Sequence, residues 1–165
     1  MKPESDRLHR IGHALVADDE EHTRFTLRLI LSRAGFRVTM AADGQEALAK
    51  TVDSLSCAQP IDLLVLDVQM PGLTGFELIE GLWRHRIALP VLIVSGYEDR
   101  ELLAALMKRT VAQFVQKPFE PGEFLDRLTL VIRQHRRLAA RRAPAVRRGG
   151  LTHPALVSWE DAEGS

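Results

Sequence analysis

Five polar side chains stand where apolar runs end. Asp18 and Asp19 follow Ala14 to Ala17, Asp67 follows Asp62 to Leu66, Ser95 closes Pro90 to Ser95, and Lys117 follows Gln113 to Gln116. If these run ends lie side by side, three carboxylates, a hydroxyl and an ammonium converge on one cleft. Crowded carboxylates repel, and each has its pKa raised unless a cation neutralises them. An all-oxygen donor set suits a hard divalent ion such as Mg²⁺, whereas zinc favours nitrogen and sulfur. The six histidines (His9, His13, His22, His85, His135 and His153) show no ligand-like cluster.

With a divalent ion present, one carboxylate can attack a phosphoryl group in line, while Lys117 and the Ser95 hydroxyl offset charge on the equatorial oxygens. Asp67 is the best placed nucleophile. It ends the most apolar run, Leu63-Leu64-Val65-Leu66, and the turn-forming stretch Val68-Gln69-Met70-Pro71-Gly72 that follows would expose it. Taken singly, an aspartate after a strand is an ordinary loop or cap residue. It is the combination of compatible groups at four run ends that points to a site.

The elements that must position these groups are legible as repeated β-α units. Strands are expected at Ala14 to Ala17, Arg37 to Ala41, Asp62 to Leu66, Pro90 to Ser95 and Gln113 to Gln116. The first, third and fourth are apolar without alternation, as befits strands covered on both faces. Between them, Leu27, Ile30, Leu31 and Ala34 repeat with helical spacing and Gly35 follows as a stop. Leu48, Thr51, Val52 and Leu55 form a second helix behind Asp43 and Glu46, and Thr74 with Glu77 forms a capping box for a third. Leu102, Leu103, Leu106 and Met107 mark a fourth. Pro121 suits the first turn of a fifth carrying Phe124, Leu125, Leu128 and Ile132. The expectation is an α/β fold: a doubly wound, five-stranded parallel sheet with five helices. Such a sheet binds its ligand at the carboxyl ends of the strands.

Three segments resemble the response-regulator receiver family: Leu15-Val16-Ala17-Asp18-Asp19-Glu20, the acidic pair; Asp62 through Gly72, the phosphoacceptor segment; and Phe114-Val115-Gln116-Lys117-Pro118-Phe119, the lysine-proline turn. The resemblance spans about His13 to Arg137 and implies the flavodoxin-like strand order 2-1-3-4-5. It implies that Asp19, Asp67 and the backbone carbonyl of Gln69 coordinate Mg²⁺, with Asp18 acting nearby or through water. It also implies that Lys117 pairs with the phosphoryl group, that Lys117-Pro118 is a cis bond, and that Ser95 and Phe114 form a coupled switch pair. In that pair the hydroxyl moves to the phosphate, the ring turns inward, and the face of helix 4, strand 5 and helix 5 is reshaped. Without the resemblance, Phe114 would read as a plain core aromatic.

Some positions depart from the commonest family pattern. Ser95 stands where threonine is frequent, Phe114 lacks a tyrosine phenol, and Thr110-Val111 precedes Ala112 where glycine is common. Gln69 and Tyr97 would flank the site entrance. The implied role is that of a single-domain switch in a two-component phosphorelay, taking its phosphoryl group from a sensor histidine kinase or a histidine phosphotransfer protein and controlling a downstream protein target. It would be no enzyme towards other substrates, assisting only its own Mg²⁺-dependent phosphorylation and dephosphorylation. A hydrolase lacks support, since there is no Asp-x-Asp pair at a strand end, no Gly-x-Ser-x-Gly and no Gly-x-Gly-x-x-Gly.

Composition fits that reading. The 165 residues are 45% apolar and 27% charged with a mean hydropathy of −0.08, and no apolar run approaches a membrane span. Residues 1–12 carry no apolar leader and read as a flexible segment, residues 13–137 as the receiver, and a cytoplasmic location is expected. Cys57, the only cysteine, reads as a small hydrophobe. Net charge is zero, but seven arginines fall between Arg133 and Arg148, and Glu160, Asp161 and Glu163 make the end acidic. The 28 residues after Arg137 are too few for a DNA-binding core, so no second domain is expected in them. They read as an extended fifth helix with solvated arginines. The alternatives are an arginine-rich contact for an acidic partner or nucleic acid, or an anchor at Leu156-Val157-Ser158-Trp159 that docks on a partner or on the receiver itself. A homodimer stays open.

Overall fold

The computed structural model describes residues 12–96 and 100–142. Strands β1 (His13–Ala17), β2 (Arg37–Ala41), β3 (Leu63–Leu66), β4 (Val91–Ser95) and β5 (Ala112–Gln116) alternate with helices α1 (Glu21–Arg33), α2 (Gly44–Ser54), α3 (Gly75–Arg84), α4 (Arg100–Arg109) and α5 (Pro121–Arg142). All pair in parallel, in the order β2-β1-β3-β4-β5. This is the expected doubly wound sheet.

The sheet is buried on both faces, which explains why β1, β3 and β4 are apolar apart from His13 and Ser95 at their ends. Leu15, Leu64 and Ile93 face a core shared with Ala47 of α2, Leu78 of α3 and Leu106 of α4. Val16, Val65 and Val94 face the other, shared with Leu27 and Leu31 of α1 and with Phe124, Leu128 and Ile132 of α5. Local signals set the helix ends as expected. Gly35 takes a positive φ of 96° after α1. Asp43 caps α2 by accepting from the Glu46 N–H, while the Glu46 carboxylate accepts from Ala42 rather than from Asp43 itself. Thr74 and Glu77 complete the reciprocal capping box on α3.

Two sequence readings shift, those of Gly12 and Cys57. Gly12 is bonded into the sheet edge, its N–H donating to Asp62 and its carbonyl accepting from Arg37, so it belongs with the fold and not with the segment before it; residues 1–11 lie outside the described residues. Helix α5 continues without a break past Arg137 to Arg142, as the extended-helix reading has it, and residues 143–165 lie outside the described residues. Cys57 is exposed in the turn after α2 and fills no core space. No helix among the described residues is long and apolar enough to cross a membrane.

Gly75 decides how closely α3 approaches the end of β3. Any Cβ there would lie 2.8 Å from the Asp67 carbonyl oxygen, 2.8 Å from the Val68 Cα and 2.5 Å from Leu66. Gly122, in the first turn of α5, has open space around it. Gly75→Ala is therefore expected to destabilise the fold by about 1–3 kcal/mol through overpacking, and Gly122→Ala to stabilise it by about 0.4–1 kcal/mol by restricting the unfolded chain. Urea unfolding of the two variants checks both signs.

Candidate functional site

Strand register explains why distant residues meet. Ala17 pairs with Leu66, so the residues that follow them, Asp18 and Asp67, emerge side by side. The Asp67 N–H donates to the Ala17 carbonyl at 2.9 Å and locks that alignment. Ser95 pairs with Gln116, and the Lys117 N–H donates to the Ser95 carbonyl at 3.0 Å. Strands β5 and β1 are three strand spacings apart, about 14 Å, so the long Lys117 side chain reaches back over the sheet edge to close the site. The Lys117-Pro118 bond is cis.

Lys117 Nζ donates to Asp18 Oδ2 and to Asp67 Oδ2, each at 2.8 Å. The Ser95 hydroxyl donates to Asp67 Oδ1 at 2.8 Å and the Gln69 N–H donates to the same oxygen at 2.9 Å. Asp18 Oδ1 accepts from the Glu20 N–H at 2.9 Å. Asp18, Asp67 and Ser95 are buried, whereas Asp19 is exposed. One carboxylate oxygen from each of Asp18, Asp19 and Asp67 lies within 4.8 Å of the others, an all-oxygen cluster that fits a hard divalent ion such as Mg²⁺. Gln69 lines the cleft beside Asp19 and Asp67, where its carbonyl could add a further oxygen.

Electrostatics follow from burial. Desolvation is the main influence on Asp18 and pushes its carboxyl above the usual carboxylate range, helped by the Asp67 charge and opposed by Lys117 and the Glu20 N–H. Burial also works to lower the Lys117 pKa, but hydrogen bonds and attraction from Asp18 and Asp67 outweigh it and leave the ammonium above its ordinary value. A raised lysine pKa stabilises the fold fully below the unfolded value, and that contribution disappears as pH climbs through the folded one. The clamp is therefore complete at neutral pH. Asp18 acts in the opposite sense: its raised pKa makes the ionised form a burden at neutral pH, one that a bound cation would relieve.

Two supporting residues carried no signal of their own in the sequence. Arg24 donates through Nη1 to the Asp18 and Asp19 carbonyls at 2.7 and 3.0 Å, holding the acidic loop, yet it reads there as one arginine among many. Gly75 lets α3 pack against the Asp67 backbone. Phe114 lies on β5 two residues before Gln116, half-buried against the core on the α4 side. Tyr97 lies outside the described residues. The structure thus brings together Asp18, Asp19, Asp67, Gln69, Ser95 and Lys117, and leaves Phe114 one strand turn away.

Comparison with known proteins agrees with this geometry. Residues 14–129 match the family described as the response regulator receiver domain. The transcriptional regulatory protein FixJ of Bradyrhizobium diazoefficiens is 38% identical over 121 residues, 73% of this chain and 55% of that protein. The chain spans about half the length, or less, of the curated relatives it matches first. Among solved structures, the chemotaxis protein CheY4 of Vibrio cholerae superposes with a TM-score of 0.63 at 29% identity, covering 73% of this chain and 98% of that one. CheY in a CheX-CheY-BeF3-Mg²⁺ complex from Borrelia burgdorferi superposes with a TM-score of 0.65 at 27% identity, covering 73% and 89%.

Asp19 is the carboxylate that the protein itself neutralises least, being exposed beside two buried ones. Asp19→Asn is expected to raise stability without metal by roughly 0.5 kcal/mol, through lost repulsion at a solvated position, and to weaken Mg²⁺ binding at least about tenfold. Chemical unfolding with and without Mg²⁺ reads both. A variant that loses stability in the metal-free state would contradict the charge argument.

Proposed function

The chain belongs to the response regulator receiver domain family of two-component signalling, and on that premise we propose that it is a phosphorylation switch whose acceptor is Asp67. The observation that carries the proposal is the set of donors on that one carboxylate. Lys117 and Ser95, which would bind phosphoryl oxygens, already stand 2.8 Å from the Asp67 oxygens.

A sensor histidine kinase or a histidine phosphotransfer protein is the proposed source of the phosphoryl group. An Asp67 oxygen attacks phosphorus in line, the O–P bond forms as the donor's P–N bond breaks, and the imidazole leaves with the electron pair and takes a proton from solvent. For the attack, Asp67 must give up part of its present bonding. Lys117 and the Ser95 hydroxyl then move from carboxylate to phosphoryl oxygens and offset the charge that develops there. Asp19, Asp67 and the Gln69 carbonyl would hold Mg²⁺, with Asp18 beside them; the ion supplies further charge neutralisation. The Mg²⁺ named with the Borrelia relative supports this cofactor.

The output follows from Ser95. It sits at the end of β4, in register with Gln116, and Phe114 lies two residues back on β5. A hydroxyl drawn towards phosphate pulls on β4 and opens space for the half-buried Phe114 ring, which changes the surface of α4, β5 and α5 that a downstream protein reads. Gln69, whose N–H already holds Asp67, stands at the cleft entrance and bears on how long the acyl phosphate lasts; Tyr97 is assigned the same part from its place in the sequence. The chain performs no chemistry on other substrates in this reading, and its work beside a kinase places it in the cytoplasm.

Incubation with Mg²⁺ and a small phosphodonor is expected to add one phosphoryl mass to the wild type and none to Asp67→Ala; modification persisting in that variant would overturn the assignment. Phe114→Ala is expected to be phosphorylated at a near-normal rate but to lose the phosphorylation-dependent amide shifts in α4 and β5, read by NMR with beryllofluoride.

A further inference from the structure

A cavity of about 640 Å³ lies at the opposite end of the sheet from Asp67, among the turn before β4, the start of β5 and the C-terminal ends of α3, α4 and α5. Its apolar lining includes Trp83, over whose ring the Arg109 guanidinium lies 5.9 Å from the centroid, and the exposed Met107 and Leu138. Its rim carries Lys108, Arg109, Arg137, Arg141 and Arg142, and no acidic residue is among the described residues that line it. The bland account of such cations is that they complement helix dipoles. A helix C-terminus offers only about half a negative charge, so three of them leave most of these five side-chain charges uncompensated.

The last turns of α5 sharpen the point. Its buried stripe runs through Phe124, Leu128 and Val131 and continues at helical spacing through the half-buried His135 to Leu138. The sheet ends before Leu138 does. Leu138 is therefore 41% exposed on a stripe that has core beneath it elsewhere. An occupant that covers this lining and answers this rim must be apolar and acidic together.

This chain contains such a segment. Leu156-Val157-Ser158-Trp159 is apolar, and Glu160, Asp161 and Glu163 follow at once. Arg142, the last described residue, is itself on the cavity rim, and 14 residues lead from it to Leu156. Fourteen residues span at most about 50 Å, enough to return to a cavity whose rim is their starting point. Tethering of that length gives an effective concentration of about a millimolar, so even weak intrinsic affinity suffices for docking. We propose that residues 156–163 dock into this cavity of their own chain, with Trp159 against the Trp83, Met107 and Leu138 lining and the three acids against the arginine rim.

The test uses the full chain. Trp159→Ala, and separately Glu160→Lys with Asp161→Lys, should move the amide resonances of residues 87–89, 110–113 and 138–142, and high salt should move the wild-type resonances the same way. Combining Glu160→Lys and Asp161→Lys with Arg141→Glu and Arg142→Glu should restore them. Amides that stay in place in Trp159→Ala overturn the proposal. So does a response that vanishes on dilution, which would assign the cavity to the tail of a second copy, or a cavity that responds to an added duplex DNA and not to these substitutions.

Discussion

Two buried carboxylates and an exposed one share a few ångströms at the top of the sheet, and a single ammonium stands between the buried pair. The Lys117 clamp, at 2.8 Å to both Asp18 and Asp67, lets the metal-free protein tolerate that arrangement. Removing one partner of a buried pair leaves an uncompensated charge, a loss of about 3–5 kcal/mol in comparable cases. The clamp ties β1, β3 and β5 together through one nitrogen, so the doubly wound order and the register of three strand pairs all have to be right at once.

The same requirement underlies the switch proposed for the site. Asp67 is held by Lys117, Ser95 and the Gln69 N–H, and each stands at the end of a different strand. A new negative group on Asp67 competes for those donors, so the local charge change is passed to β4 through Ser95 and to β5 through Lys117. The α4 side chains Leu103 and Leu106 are buried in the core that Ile93 of β4 and the half-buried Phe114 of β5 share, so α4 is the helix that such a strain reaches.

Much of this was legible in the sequence because the signals were local. Apolar runs ended by Asp67, Ser95 or Lys117 mark strand ends regardless of tertiary detail, and Thr74 with Glu77 announces a helix start within four residues. What the sequence could not show depends on tertiary contacts or on where backbone atoms come to lie. Lys117 meets Asp18 at a separation of 99 residues, and nothing in either segment says that this ammonium bridges two carboxylates. Arg24 and Gly75 act on backbone atoms of the segments leading into their own helices, so their residue types alone carry no hint. The Glu46 carboxylate accepts from the Ala42 N–H, one residue before the one a capping box would use, and the pattern does not distinguish the two.

The zero net charge hides an ordered separation that the topology itself supports. In a sheet of parallel strands crossed over by helices, every helix runs back against its strand, so helix N-termini gather at the carboxyl ends of the strands and helix C-termini at the other. The five macrodipoles therefore favour anions beside Asp67 and cations beside Arg141 and Arg142. Carboxylates at one end, and an arginine rim at the other, are two uses of one field. An acidic segment is therefore drawn to the arginine end by side-chain charge and against the helix dipoles, while the carboxylates beside Asp67 repel it.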